Sequence, residues 1–104
     1  MGSIADTVQT MKEKFNADAA EGLDLTFQFV IEDDDNYVLT VKNGTCEIIP
    51  GDHEDPNVTL LMNAETMTGI MTGEIDGMQA FMMGNLRAEG DMLLATKLGE
   101  LFSI

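Results

Sequence analysis

The 104 residues predict an α/β-class domain, α+β in detail, and three patterns carry that expectation. Near the start and again near the end, apolar residues recur at spacings of three and four, which gathers them on one side of a helix. From about residue 23 to residue 62 the spacing falls to two, the period of a strand with one buried face. Short stretches rich in Asp, Asn and Gly join those strand-like runs, which predicts turns between them.

Ile4, Val8, Met11 and Phe15 set the first helix. Ser3 is its expected N-cap, and Asp6 lies in the first turn, where the helix dipole favours a carboxylate. Asn16 and Asp18 open a further short turn around Ala17, Ala19 and Ala20, which Gly22 ends. Leu23, Leu25, Phe27, Phe29 and Ile31 then alternate with Asp24, Thr26, Gln28, Val30 and Glu32. Residues two apart share a strand face, so Leu25, Phe27 and Phe29 face the interior together and Gln28 belongs to the wetter side. Asp33-Asp34-Asp35-Asn36 is a turn, and Tyr37, Leu39 and Val41 alternate with Val38, Thr40 and Lys42 in a second strand. Asn43-Gly44 is a strong hairpin signal because both central turn positions need positive φ. Cys46, Ile48 and Ile49 mark a third strand, residues 51–56 an acidic loop, and residues 58–62 a fourth strand. The short connections predict an antiparallel meander. Met67, Ile70 and Met71 share a helix face beyond it, as do Met78, Phe81 and Met82, with Gly73 and Gly77 as punctuation. Residues 86–89 read as a short strand, and Asp91 caps a last helix carrying Leu94, Ala95, Leu98, Leu101 and Phe102. No repeat, linker or low-complexity segment divides the chain, so residues 1–104 are expected to form one domain.

Charge narrows the partners. Nineteen acidic residues face five Lys plus Arg, for a formal net charge of −14. Nucleic acid needs cations to displace its counterions, so it is excluded, and an anionic membrane would be touched at most transiently. A salty cytoplasm and an ordinary acidic surface both fit this composition. The single cysteine, Cys46, rules out an internal disulfide. No segment joins a basic region to an apolar run, and none approaches the length of a membrane span. Asp6 breaks the myristoylation pattern, and the ending Phe102-Ser103-Ile104 is not a peroxisomal signal. The sequons at Asn43 and Asn57 carry no weight without secretion. The expected location is the cytoplasm; the oligomeric state is left open.

Catalytic and metal signatures are weak. His53 stands in an acidic loop without a second ligand beside it, which fits a solvated residue better than zinc. Cys46 lies in a strand and reads as a small buried hydrophobe. A Cys46–His53 dyad is within reach along the chain but has no local signature. Asp33-Asp34-Asp35 fails the calcium-loop pattern, because Tyr37 and Val38 occupy positions that need a ligand and a glycine. No phosphate loop, dinucleotide fingerprint or nucleophile elbow occurs. Neither a metal nor a cofactor is expected, nor enzymatic activity. Methionine is the unusual residue: seven of nine lie at Met62 and beyond. Such side chains fill cores, and they also suit surfaces that adapt to varied apolar ligands.

A joined pattern distinguishes the second half: Gly73-Glu74-Ile75-Asp76, then Ala80-Phe81-Met82-Met83-Gly84-Asn85-Leu86, then Glu89-Gly90-Asp91, then Leu94-Ala95-Thr96-Lys97-Leu98 and Leu101-Phe102. It resembles the C-terminal half of the sterol carrier protein type-2 family. The N-terminal helix, the meander and Pro56-Asn57-Val58-Thr59 extend the likeness over nearly the whole chain. The resemblance implies a five-stranded, mostly antiparallel sheet covered by helices, with an apolar tunnel between sheet and helices. It implies non-covalent binding of sterols, fatty acids or acyl esters, without metal or cofactor. By position, Met67, Ile70, Met71, Phe81, Met82, Leu98, Leu101 and Phe102 would line that tunnel. The chain departs from the pattern at Asn85, a position usually basic, with Arg87 the nearby cation. That departure argues against electrostatic docking to a membrane or an anionic head group. A lipid or other apolar small molecule is the expected partner, with a structural or protein-interaction module as the alternative. Met71 separates the two physical cases: truncation is costly if it packs in solid core and cheap if it faces a tunnel.

Overall fold

In the computed structural model, which describes residues 4–102, the chain runs α1 (Ile4–Lys14), β1 (Asp24–Ile31), β2 (Tyr37–Lys42), β3 (Thr45–Pro50), β4 (Val58–Met62), α2 (Ala64–Thr72), α3 (Gly77–Met82), β5 (Arg87–Gly90) and α4 (Met92–Phe102). This is the expected order of elements. The expected cap at Ser3 lies outside the described residues. Among the described residues no helix is long and apolar enough to cross a membrane.

The alternation along β1 places Leu25, Phe27, Phe29 and Ile31 in the core, with both phenylalanines fully buried. The register partners of Leu25, Phe27 and Phe29 on β2 are Val41, Leu39 and Tyr37, so the same face continues across the pair. Asn43 and Gly44 both take positive φ, 48° and 80°, and close the β2–β3 hairpin as expected.

The fourth strand departs from the meander. The sheet order is β3-β2-β1-β4-β5, and β4 runs parallel to β1. Three spacings of about 4.8 Å separate β3 from β4, roughly 14 Å, and seven linking residues at about 3.3 Å each can span that. The β2–β3 hairpin is therefore part of a crossover from β1 to β4, long enough for a parallel connection. Two side chains hold the link. Asn57 Oδ1 accepts from the Thr26 N–H at 2.8 Å while the Asn57 N–H donates to Thr26 O, also at 2.8 Å. Gln28, expected on the wetter face, is only 4% exposed. Its Nε2 donates to the carbonyls of Tyr37 (3.2 Å) and Gly51 (3.1 Å), and its Oε1 accepts from the His53 N–H at 2.6 Å. A long amide satisfies both a backbone acceptor and a backbone donor of the crossing loop, which explains a buried polar residue there. Gln28→Leu is expected to lower stability by about 1–3 kcal/mol, because a buried partner group loses its bond. Urea denaturation checks this; an unchanged midpoint would mean the loop is held by other contacts.

The helices meet the sheet face formed by Phe27, Phe29, Leu39, Val58, Leu60 and Met62. In α1, Val8 and Met11 are buried; Thr7 Oγ1 lies 2.7 Å from Thr68 Oγ1 of α2, and Lys14 Nζ donates to Met71 O at 2.8 Å. Asn63 caps α2, accepting from the Thr66 N–H, and Asp33 accepts from the Ala64 N–H at 2.8 Å. One aspartate of the acidic turn thus serves a helix start. Gly73 ends α2 in the left-handed region, as its punctuating position predicts, and Gly77 opens α3. Gly69 lies inside α2, and Ile75 packs where its side chain would stand. Asp91 Oδ1 accepts from the Leu93 N–H at 3.0 Å at the start of α4, as expected.

The acidic surface should make stability depend on salt. Asp33, Asp34, Asp35, Glu54 and Asp55 are all exposed, and the pair Lys97–Glu100, at 3.3 Å, is exposed on both sides. Repulsion within a chain of net charge −14 is screened as ionic strength rises. The thermal midpoint is expected to climb from low to molar sodium chloride, and a flat or falling series would contradict it.

Candidate functional site

A pocket of about 570 Å³ opens between the sheet and the helices. Phe29 of β1, Leu60 and Met62 of β4 and Ala88 of β5 line it from the sheet. Strand alternation puts these side chains on one face, and the pairings Phe29↔Leu60 and Leu60↔Ala88 set them side by side. Ile70 and Met71 of α2, Met78 and Phe81 of α3, and Ala95, Thr96, Leu98 and Gly99 of α4 form the other walls. Gly73, Ile75, Asp76 and Gly77 line it from the α2–α3 junction, and Leu86 from the approach to β5.

Small residues make room for this pocket. Ala95 and Gly99 lie one turn apart on α4, and with Ala88, Gly73 and Gly77 they remove volume where larger side chains would interdigitate. The short helix α3 adds little closure of its own. It buries Ala80, while Met78 (61%), Phe81 (41%) and Met82 (78%) remain exposed. Met83 and Leu93 are exposed as well, so uncovered apolar surface extends from the pocket wall across α3.

The eight residues expected to line a tunnel fall into three environments. Ile70, Met71, Phe81 and Leu98 come together in the pocket wall. Met67, Leu101 and Phe102 are fully buried in the core and are not among the lining residues. The reason for Phe102 is visible: its ring stacks at a tilt on Phe15, with centroids 5.7 Å apart, beside the end of α1. Met82 stands 78% exposed and is also absent from the wall, because a six-residue helix that turns Ala80 inward fans its neighbours toward solvent. Phe29 was legible as an inward-facing strand residue and residues 58–62 as a strand, but not the pairing that sets Leu60 and Met62 beside Phe29 as the floor of a space. The Ala95–Gly99 spacing was a signal for the missing volume.

Polar chemistry in the pocket is sparse. The lining side chains with polar atoms are Asp76 and Thr96. Asp76 Oδ1 accepts from the Met78 N–H at 3.0 Å, and Thr96 Oγ1 donates to Leu93 O at 2.7 Å. Cys46 and His53 do not meet. Cys46 is paired with Val41 on the helix-covered side of the sheet, and burial pushes its thiol up, against a smaller downward pull from Lys12. His53 is exposed in the loop held by Gln28, on the other side, and its Nδ1 accepts from the Asp55 N–H at 3.0 Å. Among the described residues no group of three His, Cys, Asp or Glu side chains is placed to hold a metal ion.

The comparisons agree with this architecture. The model of the SCP-2 sterol transfer family matches residues 6–103. Peroxisomal multifunctional enzyme A of Dictyostelium discoideum is 42% identical over 66 residues, 62% of this chain and 15% of that protein. The sec-alkylsulfatase Pisa1 from Pseudomonas sp. contains a similar structure, with TM-score 0.77 and 28% identity, covering 89% of this chain and 14% of that one. The palmitated SCP2L2 of Aedes aegypti shares the fold over 99% of this chain and 96% of its own, with TM-score 0.78 and 22% identity. The chain spans only 12% to 25% of the length of the relatives it matches by sequence. With a family match across almost its whole length and the matching five-stranded fold, the chain belongs to the SCP-2 sterol transfer family.

Proposed function

We propose that this protein binds an apolar lipid non-covalently in the pocket between the β1–β4–β5 face and helices α2, α3 and α4, and hands it on without altering it. The observation that carries this reading is a wall of 17 residues in which only Asp76 and Thr96 bring polar side-chain atoms. Burial of a methylene contributes about 0.8 kcal/mol, so a long acyl chain or a sterol skeleton gains on the order of 10 kcal/mol before the cost of lost freedom. No precise polar contact is needed for that gain. Membership of a sterol transfer family supports the same reading. Ile70, Met71, Phe81 and Leu98 are the contacts we assign to the ligand, with Phe29, Leu60 and Met62 as the floor.

Native mass spectrometry of the purified protein tests the proposal. A co-purifying lipid, or stoichiometric uptake of an added one, is expected; a protein that takes up none would overturn it. A second reading has its own observation in favour. The chain corresponds to a minor part of larger enzymes, and α3 with Leu93 exposes apolar surface. That pattern fits a module that docks on an enzyme. An empty protein that forms a tight complex or dimer through α3 would favour this alternative.

Two wall positions separate ligand contact from core packing. Phe81→Ala is expected to change stability by less than about 1 kcal/mol, since the residue is 41% exposed. It should weaken binding of a fluorescent apolar lipid about tenfold, the equivalent of 1.4 kcal/mol. Met71 is 2% exposed and belongs to both the core and the wall. Its truncation should therefore cost about 2–3 kcal/mol as well as affinity, more than a free tunnel wall would lose. Urea midpoints without ligand and affinities with it, on the same samples, check both. Unchanged affinity in Phe81→Ala would remove α3 from the site.

A further inference from the structure

We infer that the pocket selects uncharged lipids, alcohols and esters over free carboxylates, and that Asp76 is the residue that sets this preference. The inference rests on the lipid-binding reading and narrows its ligand class. Among the described residues, none of the five Lys and Arg side chains lines the pocket. Lys14 is given to Met71 O and Lys97 to Glu100. Arg87 neighbours Ala88 along β5, and alternation sends it to the opposite sheet face. Lys12 acts on Cys46 of β3, and Lys42 is exposed at the end of β2, where it pairs with Asp24, five residues along β1 from Phe29 of the pocket floor.

Hydrogen-bonding capacity points the same way. The Thr96 hydroxyl has already donated its hydrogen to Leu93 O, which leaves only lone pairs. Asp76 can only accept as a carboxylate. The backbone N–H groups of Gly73, Ile75 and Met78, all on the wall, are already given to Ile70 O, Gly69 O and Asp76 Oδ1. A fatty-acid carboxylate, itself only an acceptor, would be buried inside without a cation to neutralise it, which is costly. Turned outward instead, it would meet Asp76 and a surface of net charge −14. A hydroxyl can donate to Asp76 or Thr96, and an ester carries no charge, so neither suffers these penalties.

Displacement of a pyrene-labelled fatty alcohol from the delipidated full chain tests this, with hexadecanol, methyl hexadecanoate and hexadecanoate as competitors. The measurement is made near pH 8, well above the ordinary carboxyl range. Hexadecanol and the methyl ester are expected to bind at least about tenfold tighter than hexadecanoate. Asp76→Asn keeps an effective helix cap, because Asn serves that position as well as Asp. It should strengthen hexadecanoate binding severalfold relative to hexadecanol, whose hydroxyl can still donate to the amide oxygen of Asn. Glu74→Gln removes the same charge from a neighbour that does not line the pocket, and should have little effect. Hexadecanoate binding as tightly as the neutral lipids would overturn the inference and leave lipid binding intact. Equal responses to Asp76→Asn and Glu74→Gln would overturn the role given to Asp76. Failure of all three lipids, and of the labelled alcohol, to bind would instead overturn the lipid-binding reading itself.

Discussion

Phe27→Ala is expected to destabilise the protein by about 3–5 kcal/mol, a large part of the roughly 5–15 kcal/mol that holds a small protein folded. Phe27 is fully buried, and its register partners on both sides, Leu39 of β2 and Val58 of β4, are 0% and 1% exposed. Truncation removes transfer energy and leaves a cavity that two hydrogen-bonded neighbours cannot collapse into. A loss of about 3 kcal/mol should lower the melting temperature by roughly 12–24 °C. Phe81→Ala removes the same atoms from a partly exposed helix and should cost far less. Equal losses at the two positions would mean that the sheet face is not the packed centre of the protein.

Gly90→Ala should be the most damaging glycine replacement among those at positive φ. Gly90 has φ 103°, and an added Cβ would stand 2.7 Å from Asn57 O and 3.2 Å from Val58 Cα, both backbone atoms that cannot swing aside. The backbone conformation alone costs about 1–3 kcal/mol with a side chain, and the clash pushes β5 off β4 in addition. Because Ala88 and Leu86 bring the β5 side of the pocket into place, lipid affinity should fall with stability. Gly51→Ala is the control: its φ is 133°, but nothing lies within 4 Å of the new atom. Denaturant midpoints for the two variants separate strain from collision. A Gly51→Ala loss as large as that of Gly90→Ala would show that the Asn57 contact adds nothing.

Local patterns were legible because they depend on neighbours in the chain. The period-two run at Leu25, Phe27 and Phe29, the Asn43-Gly44 hairpin, and the Asp91 cap each follow from residues a few positions apart. So does the grouping of Ile70 with Met71, since helix geometry places them on adjoining parts of one face. The acidic surface, and with it the argument for salt dependence, also needs only the list of residues.

Tertiary structure decided what competes over distance. The turn lengths suited a meander, yet the open edge of β1 took β4 in parallel, with Gln28 satisfying backbone groups of the crossing loop and the Asn57 side chain the Thr26 N–H of β1. A sequence pattern records which side chains are apolar, not which have partners at close range. Met67, Ile70 and Phe102 are equally apolar in the chain, but only Ile70 faces the space left by Ala95, Gly99 and Gly77. Whether an apolar stripe becomes core or pocket wall depends on the volume of residues on other elements, and that sum exists only once the elements have packed.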